Sequence, residues 1–310
     1  MKHIFRLLPV AATLVVTPAF ADEPKGDAPP PTADGKPTAA EKKLGYSLPW
    51  LLRPSVATTA LRLDQNLVFQ DGSSVQLNVL TASYKLMPDA GLFARAAIVR
   101  FAPEGKDAKI AISNPVVGAV FAPEIAPHTR LAAVAGLAVP VGSGGGNDRD
   151  DAVYGAIGAG IYGRQGMDNA LFAVNYLTPF LGAGVSYVDK GFTAQLDLTV
   201  LELFRARGAD KEVDEKRTNS MAALHVGYRV IPMLTVSAEL HHQRWLSTPA
   251  AVDKDGNKRS QTTVGGGVRL NLPVGEAHVI RPGVAYFMGV DDPMAYAKAK
   301  VILVDVPFVF

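Results

Sequence analysis

From residue 54 onward, turn-forming residues cut the chain into twelve strand-length segments, and the connectors between them alternate in length. The segments run over 54–69, 73–87, 91–102, 110–123, 128–141, 177–188, 191–207, 218–231, 233–247, 260–273, 277–290 and 297–310. Connectors after odd-numbered segments carry the longer inserts, at 103–109, 142–176, 208–217, 248–259 and 291–296; the first, at 70–74, is short. Connectors after even-numbered segments are tight: 88–90, 124–127, 189–190, the break at Ile231-Pro232, and 274–276. In an antiparallel meander the odd and even connectors lie at opposite ends. A soluble sandwich has no reason to sort its loops by parity. A membrane barrel has short turns on one side and long loops on the other, and its strand number is even.

Side-chain alternation agrees. In 191–200, Phe192, Ala194, Leu196, Leu198 and Val200 oppose Thr193, Gln195, Asp197 and Thr199. In 221–230, Ala222, Leu224, Val226, Tyr228 and Val230 oppose His225 and Arg229, and in 234–243 Leu234, Val236, Ala238 and Leu240 oppose Glu239, His241 and Gln243. In 264–272, Val264, Val268, Leu270 and Leu272 oppose Arg269 and Asn271. Successive side chains of a strand point to opposite faces, and lipid does not solvate charge, so the apolar sets face out and the polar sets face in. The mean hydropathy of +0.14 comes with no run of 18 uncharged apolar residues after the N-terminus, which excludes a polytopic helical membrane protein. The first half is less regular. Segment 73–87 alternates only up to Val79, 91–102 has large residues on both parities around Arg95, and Pro115 and Pro282 predict ladder breaks.

The last segment, 301–310, places Ile302, Val304, Val306, Phe308 and Phe310 on one parity and Asp305 on the other. Following an export signal, a terminal amphipathic strand that ends in Phe resembles the closing strand of Gram-negative outer-membrane β-barrels. That resemblance implies an all-β, transmembrane, antiparallel up-and-down barrel. It also implies an assembly signal at Phe310, read by the barrel assembly machinery, and contact with outer-membrane lipids and lipopolysaccharide.

The export signal is expected over 1–21: Lys2, His3 and Arg6, an apolar stretch at 7–16, then Ala19-Phe20-Ala21 with cleavage after Ala21. Residues 22–46 carry Pro, Ala, Lys, Asp and Gly and read as a disordered periplasmic tail, leaving 47–310 as the barrel. Tyr46 and Trp50 are expected at the periplasmic rim as interfacial aromatics. With the N-terminus periplasmic, the long connectors face outside. The chain has no cysteine and a net charge of +2, part of it in the signal, so disulfides and thiolate metal sites are excluded and nucleic acid is not an expected partner.

The insert at 142–176 starts with Gly-rich residues and the polar run Asn147, Asp148, Arg149, Asp150 and Asp151, which fits a helix start. One reading is a partly helical loop folded over or into the barrel; the other adds two strands, for fourteen. The helical loop is preferred. As a constriction or plug it would present those five residues with Asn169 and Asn175. The glycines Gly155, Gly158, Gly160 and Gly163 lack a surrounding dinucleotide fold and read as packing or flexibility, and Asp253-Lys254-Asp255-Gly256 reads as turn chemistry rather than a calcium loop.

The expected lumen carries Arg62, Asp64, Arg130, Asp197, His225, Arg229, Glu239, His241, Arg269, Arg281 and Asp305, with Arg281 as the expected partner of Asp305. Charges of both signs either line a water-filled path or pair off and plug it. The first option makes the protein a passive channel for small polar or anionic solutes, or, with an apolar path, for small hydrophobic compounds. An outer-membrane lipid hydrolase and a closed structural or surface-binding barrel are the alternatives. No G-x-S-x-G motif is present; Ser237 with His225 or His241 is the residual nucleophile pairing. His225, Glu239 and His241 also make a candidate zinc set, but a hydrogen-bonded wall is preferred, so no metal or other cofactor is expected.

Overall fold

The computed structural model describes residues 45–70, 72–275 and 277–310. The expected signal peptide at 1–21 and the tail residues 22–44 lie outside the described residues. The strands are β1 (Ala60–Gln70), β2 (Ser73–Met87), β3 (Ala90–Ala102), β4 (Lys109–Ile112), β5 (Val116–Phe121), β6 (Glu124–Ala126), β7 (Thr129–Ala138), β8 (Tyr176–Asp189), β9 (Phe192–Arg205), β10 (Lys216–Ile231), β11 (Leu234–Trp245), β12 (Ser260–Leu270), β13 (Leu272–Val274), β14 (His278–Ile280), β15 (Gly283–Gly289) and β16 (Lys300–Val309). All pairings are antiparallel, and β1 pairs with β16 from Ala60↔Val309 to Phe69↔Lys300, which closes the sheet. Twelve staves make up the barrel, and β4, β6, β13 and β14 are short additions to them.

The interruptions follow from covalent chemistry. Proline cannot donate to a ladder, and the breaks fall where prolines stand: β4 and β5 part at Pro115, β14 and β15 at Pro282. Both carbonyls stay in use, taking the N–H of Val139 at 3.0 Å and of Leu270 at 2.9 Å.

The outer surface is apolar. In β9, Leu196 and Leu198 are 45% and 56% exposed, while their neighbours Gln195 and Thr199 are 1% and 4% exposed. Leu63, Leu80, Leu92, Leu181, Leu224, Val236, Leu240 and Val304 continue the exposed apolar band around the barrel. Such a surface is stable in lipid and not in water, and closure leaves no edge unpaired.

The inner surface has two halves. On β9 to β12 and on β1 it is largely polar, β1 contributing Arg62, Asp64 and Asn66. On β2 to β4 it is largely apolar, with Val75, Leu77, Val79, Ala97, Val99 and Ala111 buried. This explains the irregular alternation of the first half: β2 and β3 carry apolar residues on both faces because their inner face is packed as well. What packs there is helix α1 (Asp151–Gly163), from the long insert. The insert is therefore helical, and the fourteen-strand reading is set aside. Asp150 caps the helix, its Oδ1 accepting from the N–H groups of Ala152 at 2.8 Å and Val153 at 3.2 Å. After it the insert has only the short α2 (Asn169–Phe172), because Tyr176 already starts β8.

Close approach of α1 to the wall depends on glycine. A Cβ at Gly160 would lie 2.5 Å from the Phe172 ring and 2.9 Å from Val99, and one at Gly163 would lie 2.7 Å from Leu77. Gly155 faces open space. Gly160→Leu is therefore expected to push the helix off the wall, at about 1–3 kcal/mol of overpacking. Gly155→Ala should stabilise the helix by roughly 0.5–1 kcal/mol. Hydrogen exchange across 151–163 in detergent micelles checks both; equal exchange in the two variants would contradict this packing.

Candidate functional site: a filled lumen

The bore is filled from both ends. Helix α1 and the turn after it enter from the long-loop end. From the short-turn end, where β1 begins and β16 finishes, residues 45–57 fold into the lumen. Trp50 is 0% exposed, with Arg269 stacked over its ring at 3.9 Å from Cζ to centroid. Tyr46 donates its hydroxyl to Gln195 Oε1 at 2.5 Å. Neither residue sits in a rim belt, which corrects the interfacial expectation: the wall takes the Tyr46 hydroxyl and covers the Trp50 ring face with Arg269, while Trp50 Nε1 is buried without a hydrogen-bond partner. It also moves residues 54–59 out of the first stave, into this segment. Where the two fillings meet, a cavity lined in part by Leu51, Leu52, Arg53, Met167 and Asp168 has a volume of about 20 Å³, room for about one water molecule.

A chain of alternating charge ties the filling to the wall. Arg269 on β12 donates Nη2 to Asp305 on β16 at 2.5 Å. Asp305 also holds Arg62 on β1, at 2.9 Å. Arg62 Nε donates to Asp64 at 2.6 Å, and Asp64 takes Arg164 at 3.2 Å. Arg164, the residue that closes α1, donates Nε to Asp168 at 2.7 Å, and Asp168 pairs with Arg95 on β3 at 2.9 Å. Four arginines and three aspartates thus link wall, helix and wall, all of them largely buried. Arg281 is not the partner of Asp305. Its Nη1 donates to the Tyr46 carbonyl at 3.4 Å, while Asp305 Oδ2 takes Arg62 and Arg269 and Oδ1 has no hydrogen-bond partner.

Glu239 is the second anchor. Its Oε1 meets His225 Nδ1 at 3.0 Å and its Oε2 meets His241 Nε2 at 2.7 Å. It also accepts from the N–H groups of Trp50 at 2.6 Å and Leu51 at 3.1 Å. One nitrogen of each imidazole is aimed at the carboxylate, which is hydrogen-bond and not metal geometry. Among the described residues no group of three or more His, Asp or Glu is placed to hold a metal ion.

His225 Nε2 lies 3.0 Å from Ser47 Oγ, so Ser47, His225 and Glu239 have the connectivity of an acyl-transfer triad. Packing leaves no space beside it: a Cβ on Gly227 would lie 2.0 Å from Ser47 Oγ. Ser237 makes no hydrogen bond to either histidine. Nothing here could admit an acyl substrate while the segment is seated.

Of the other lumen candidates, Asp197 lies inward and accepts from Gln195 Nε2 at 2.7 Å. Arg229 is half-buried at the short-turn end. Arg130 is a rim residue, partly exposed and paired with Asp89 at 3.4 Å and Glu124 at 3.2 Å. The insert divides likewise. Asn169 and Asn175 are buried, but Asn147, Asp148, Asp150 and Asp151 stand exposed at the long-loop end and do not line the bore: Asp150 caps the helix, Asp151 pairs with Arg149, and Asn147 Oδ1 accepts from the Asp210 N–H. Arg149 bridges Asp151 at 2.8 Å and Glu212 at 3.3 Å.

The charged loop between β9 and β10 is tied to the insert. Its Glu212 is buried and accepts from Tyr154 at 2.6 Å, Asn175 at 2.9 Å, Tyr176 at 3.3 Å and Arg217 at 3.0 Å. Burial pushes its carboxyl up, but the bonds from Tyr154 and Asn175 and the Arg217 charge together hold it below the ordinary glutamate value. Burial and the same carboxylate raise the Tyr154 phenol to about 12. Nothing in the sequence singled out Glu212, Arg164, Asp168 or Ser47 as contact residues. Each lies in a loop, where no periodicity says which way a side chain points.

No family model matches the sequence, and no curated protein matches it. Among solved structures, an outer membrane channel from Pseudomonas putida F1 is similar at 14% identity and a TM-score of 0.50, over 86% of this chain and 98% of that one. The NanC porin is similar at 8% identity and a TM-score of 0.50, over 81% and 98%. At these identities the likeness is one of fold, that of outer-membrane β-barrels.

Two outcomes follow from this geometry. Asp64→Ala leaves Arg62 and Arg164 each short of a buried partner, and should cost about 3–5 kcal/mol. A fall in thermal midpoint in micelles checks it, with the rim substitution Asp189→Ala expected to change little. Because the Glu212 carboxyl is depressed, its contribution is complete above the ordinary glutamate value and is lost as pH falls through the depressed one. The protection of amides 206–215, corrected for the intrinsic pH dependence of exchange, should therefore stay level from neutral pH to the ordinary glutamate value and fall only below it. In Glu212→Gln the same amides should be weakly protected at every pH.

Proposed function

We propose that this protein is a gated outer-membrane channel for small polar solutes, closed in this structure. The observation that carries the reading is that two chain segments fill the bore, one from each end, held by hydrogen bonds, ion pairs and packing and not by strand pairing. A twelve-strand barrel is wide enough to need such filling, unlike an eight-strand one, whose own side chains suffice. When both segments withdraw, the wall keeps polar groups of both signs, including Arg62, Asp64, Glu239, Arg269 and Asp305. That lining suits water and polar solutes and leaves no apolar path on the β9 to β12 side. The balance of Arg and Asp in the charge chain argues for polar solutes generally over anions alone. Outer-membrane lipid and lipopolysaccharide are the partners of the apolar outer band, and the long loops face outside.

The alternative with support on the page is a closed barrel with a surface role, favoured by the completeness of the filling. Planar-bilayer recording separates the two. The wild-type chain should show rare, brief openings. Glu239→Ala, which removes the acceptor of two segment N–H groups, should lengthen them at least tenfold. Silence of both chains across a wide range of salt would overturn the channel and leave the closed barrel.

A further inference from the structure

The wall holds residues 46–53 by their main chain, one group at a time. Among carbonyls, Tyr46 accepts from Arg281 at 3.4 Å, Pro49 from Arg62 Nη1 at 2.9 Å, and Arg53 from Gln195 at 2.7 Å. The carbonyls of Leu48 and Trp50 accept from Arg269 and Arg62. Among N–H groups, Ser47 donates to Thr193 Oγ1 at 2.9 Å, and Trp50 and Leu51 donate to the two oxygens of Glu239. One guanidinium thus takes two successive carbonyls, and one carboxylate takes two successive N–H groups. These contacts come from β1, β9, β11 and β12 and from Arg281 beside β15, and none of them depends on which residue the segment carries. Side-chain recognition is added at four positions: Tyr46 on Gln195, Ser47 on His225, Trp50 under Arg269 and Arg53 on Thr199.

We propose that this lumen is a binding site for short peptides that bend as residues 50–52 do, and that residues 46–53 occupy it in cis. The inference rests on the channel reading of the same lumen and narrows its solute class. An inorganic anion or a carboxylate would satisfy the arginines but offers no donor to Glu239 and Thr193. A peptide supplies carbonyls and N–H groups at the spacing these wall groups take up. Main-chain contacts give affinity without sequence preference. The cis segment is tethered to β1 by residues 54–59, so its effective concentration is high and a free peptide competes poorly with it until it is loosened.

The test uses the full chain carrying Trp50→Ala, which removes the stacking on Arg269, and in parallel Leu51→Ala. The probe is a fluorescent synthetic peptide with the sequence of residues 45–54, and binding is read by anisotropy in detergent micelles, independently of conductance. Saturable binding is expected to both variants, at least tenfold tighter than to wild type. N-methylation of the peptide at Trp50 and Leu51 should weaken it at least tenfold, whereas methylation at Leu52, whose N–H meets none of these wall groups, should be tolerated. Adding Glu239→Gln to the loosened chain should weaken the unmethylated peptide and abolish the effect of methylation. Binding to neither variant, or equal binding of the peptides methylated at 50–51 and at 52, overturns the proposal. A chain that binds peptide yet never conducts upholds the site and overturns the channel.

Discussion

Burying charge in a membrane-embedded bore is tolerable only if each charge meets its opposite, and this constraint runs through the whole interior. Arg269, Asp305, Arg62, Asp64, Arg164, Asp168 and Arg95 satisfy one another in sequence. The chain of contacts starts on β12, crosses the seam where β16 meets β1, passes through the end of α1 and stops on β3. The seam between β1 and β16 is thus crossed by the same ion pairs that seat the insert. Removing Asp64 takes one of two carboxylate partners from Arg62 and from Arg164 at once, so the insert is a structural part of the closed barrel as much as a gate.

The two kinds of inner surface explain why two different segments fill the bore. The apolar half on β2 to β4 takes a helix whose own backbone is satisfied internally, and which buries Ala156, Ile157, Ala159, Gly160 and Gly163. The polar half takes residues 45–57, which have no internal hydrogen bonding of that kind and need donors and acceptors from the wall. Glu239, Arg62, Arg269, Gln195 and Thr193 supply them. Each filling matches the half it occupies. The latch at Glu212 holds the outer end of the insert by a different means, a single buried carboxylate under several donors.

The architecture was largely legible in the sequence. A period of two with charge on one parity, connectors sorted by parity, and prolines at 115 and 282 depend only on local covalent geometry and on what lipid will solvate. They led to twelve staves and the two breaks. Lumen residues on strands were legible for the same reason: Arg62, Asp64, His225, Glu239, His241, Arg269 and Asp305 all face inward. Residues off the strands were not. Trp50 and Tyr46 read as rim aromatics because interfacial preference is an average tendency, and a specific Arg269 face overrode it. Asp148, Asp150 and Asp151 read as constriction residues, but they stand exposed at the long-loop end, Asp150 as the helix cap and Asp151 on Arg149. Arg130 shares inward parity but lies where the stave ends, so length along the strand decided its place.

By itself the sequence determined the barrel, its strand number and its two faces, because each residue's side of a strand follows from parity and the solvent on each side is fixed by chemistry. Only the tertiary structure decided what fills the bore and which charges meet. Asp305 was expected to pair with Arg281 on the adjacent stave and pairs instead with Arg62 and Arg269, while Arg281 reaches Tyr46. Those choices depend on the curvature of a closed sheet and on where two loops come to rest, and both arise from contacts between residues far apart in the chain.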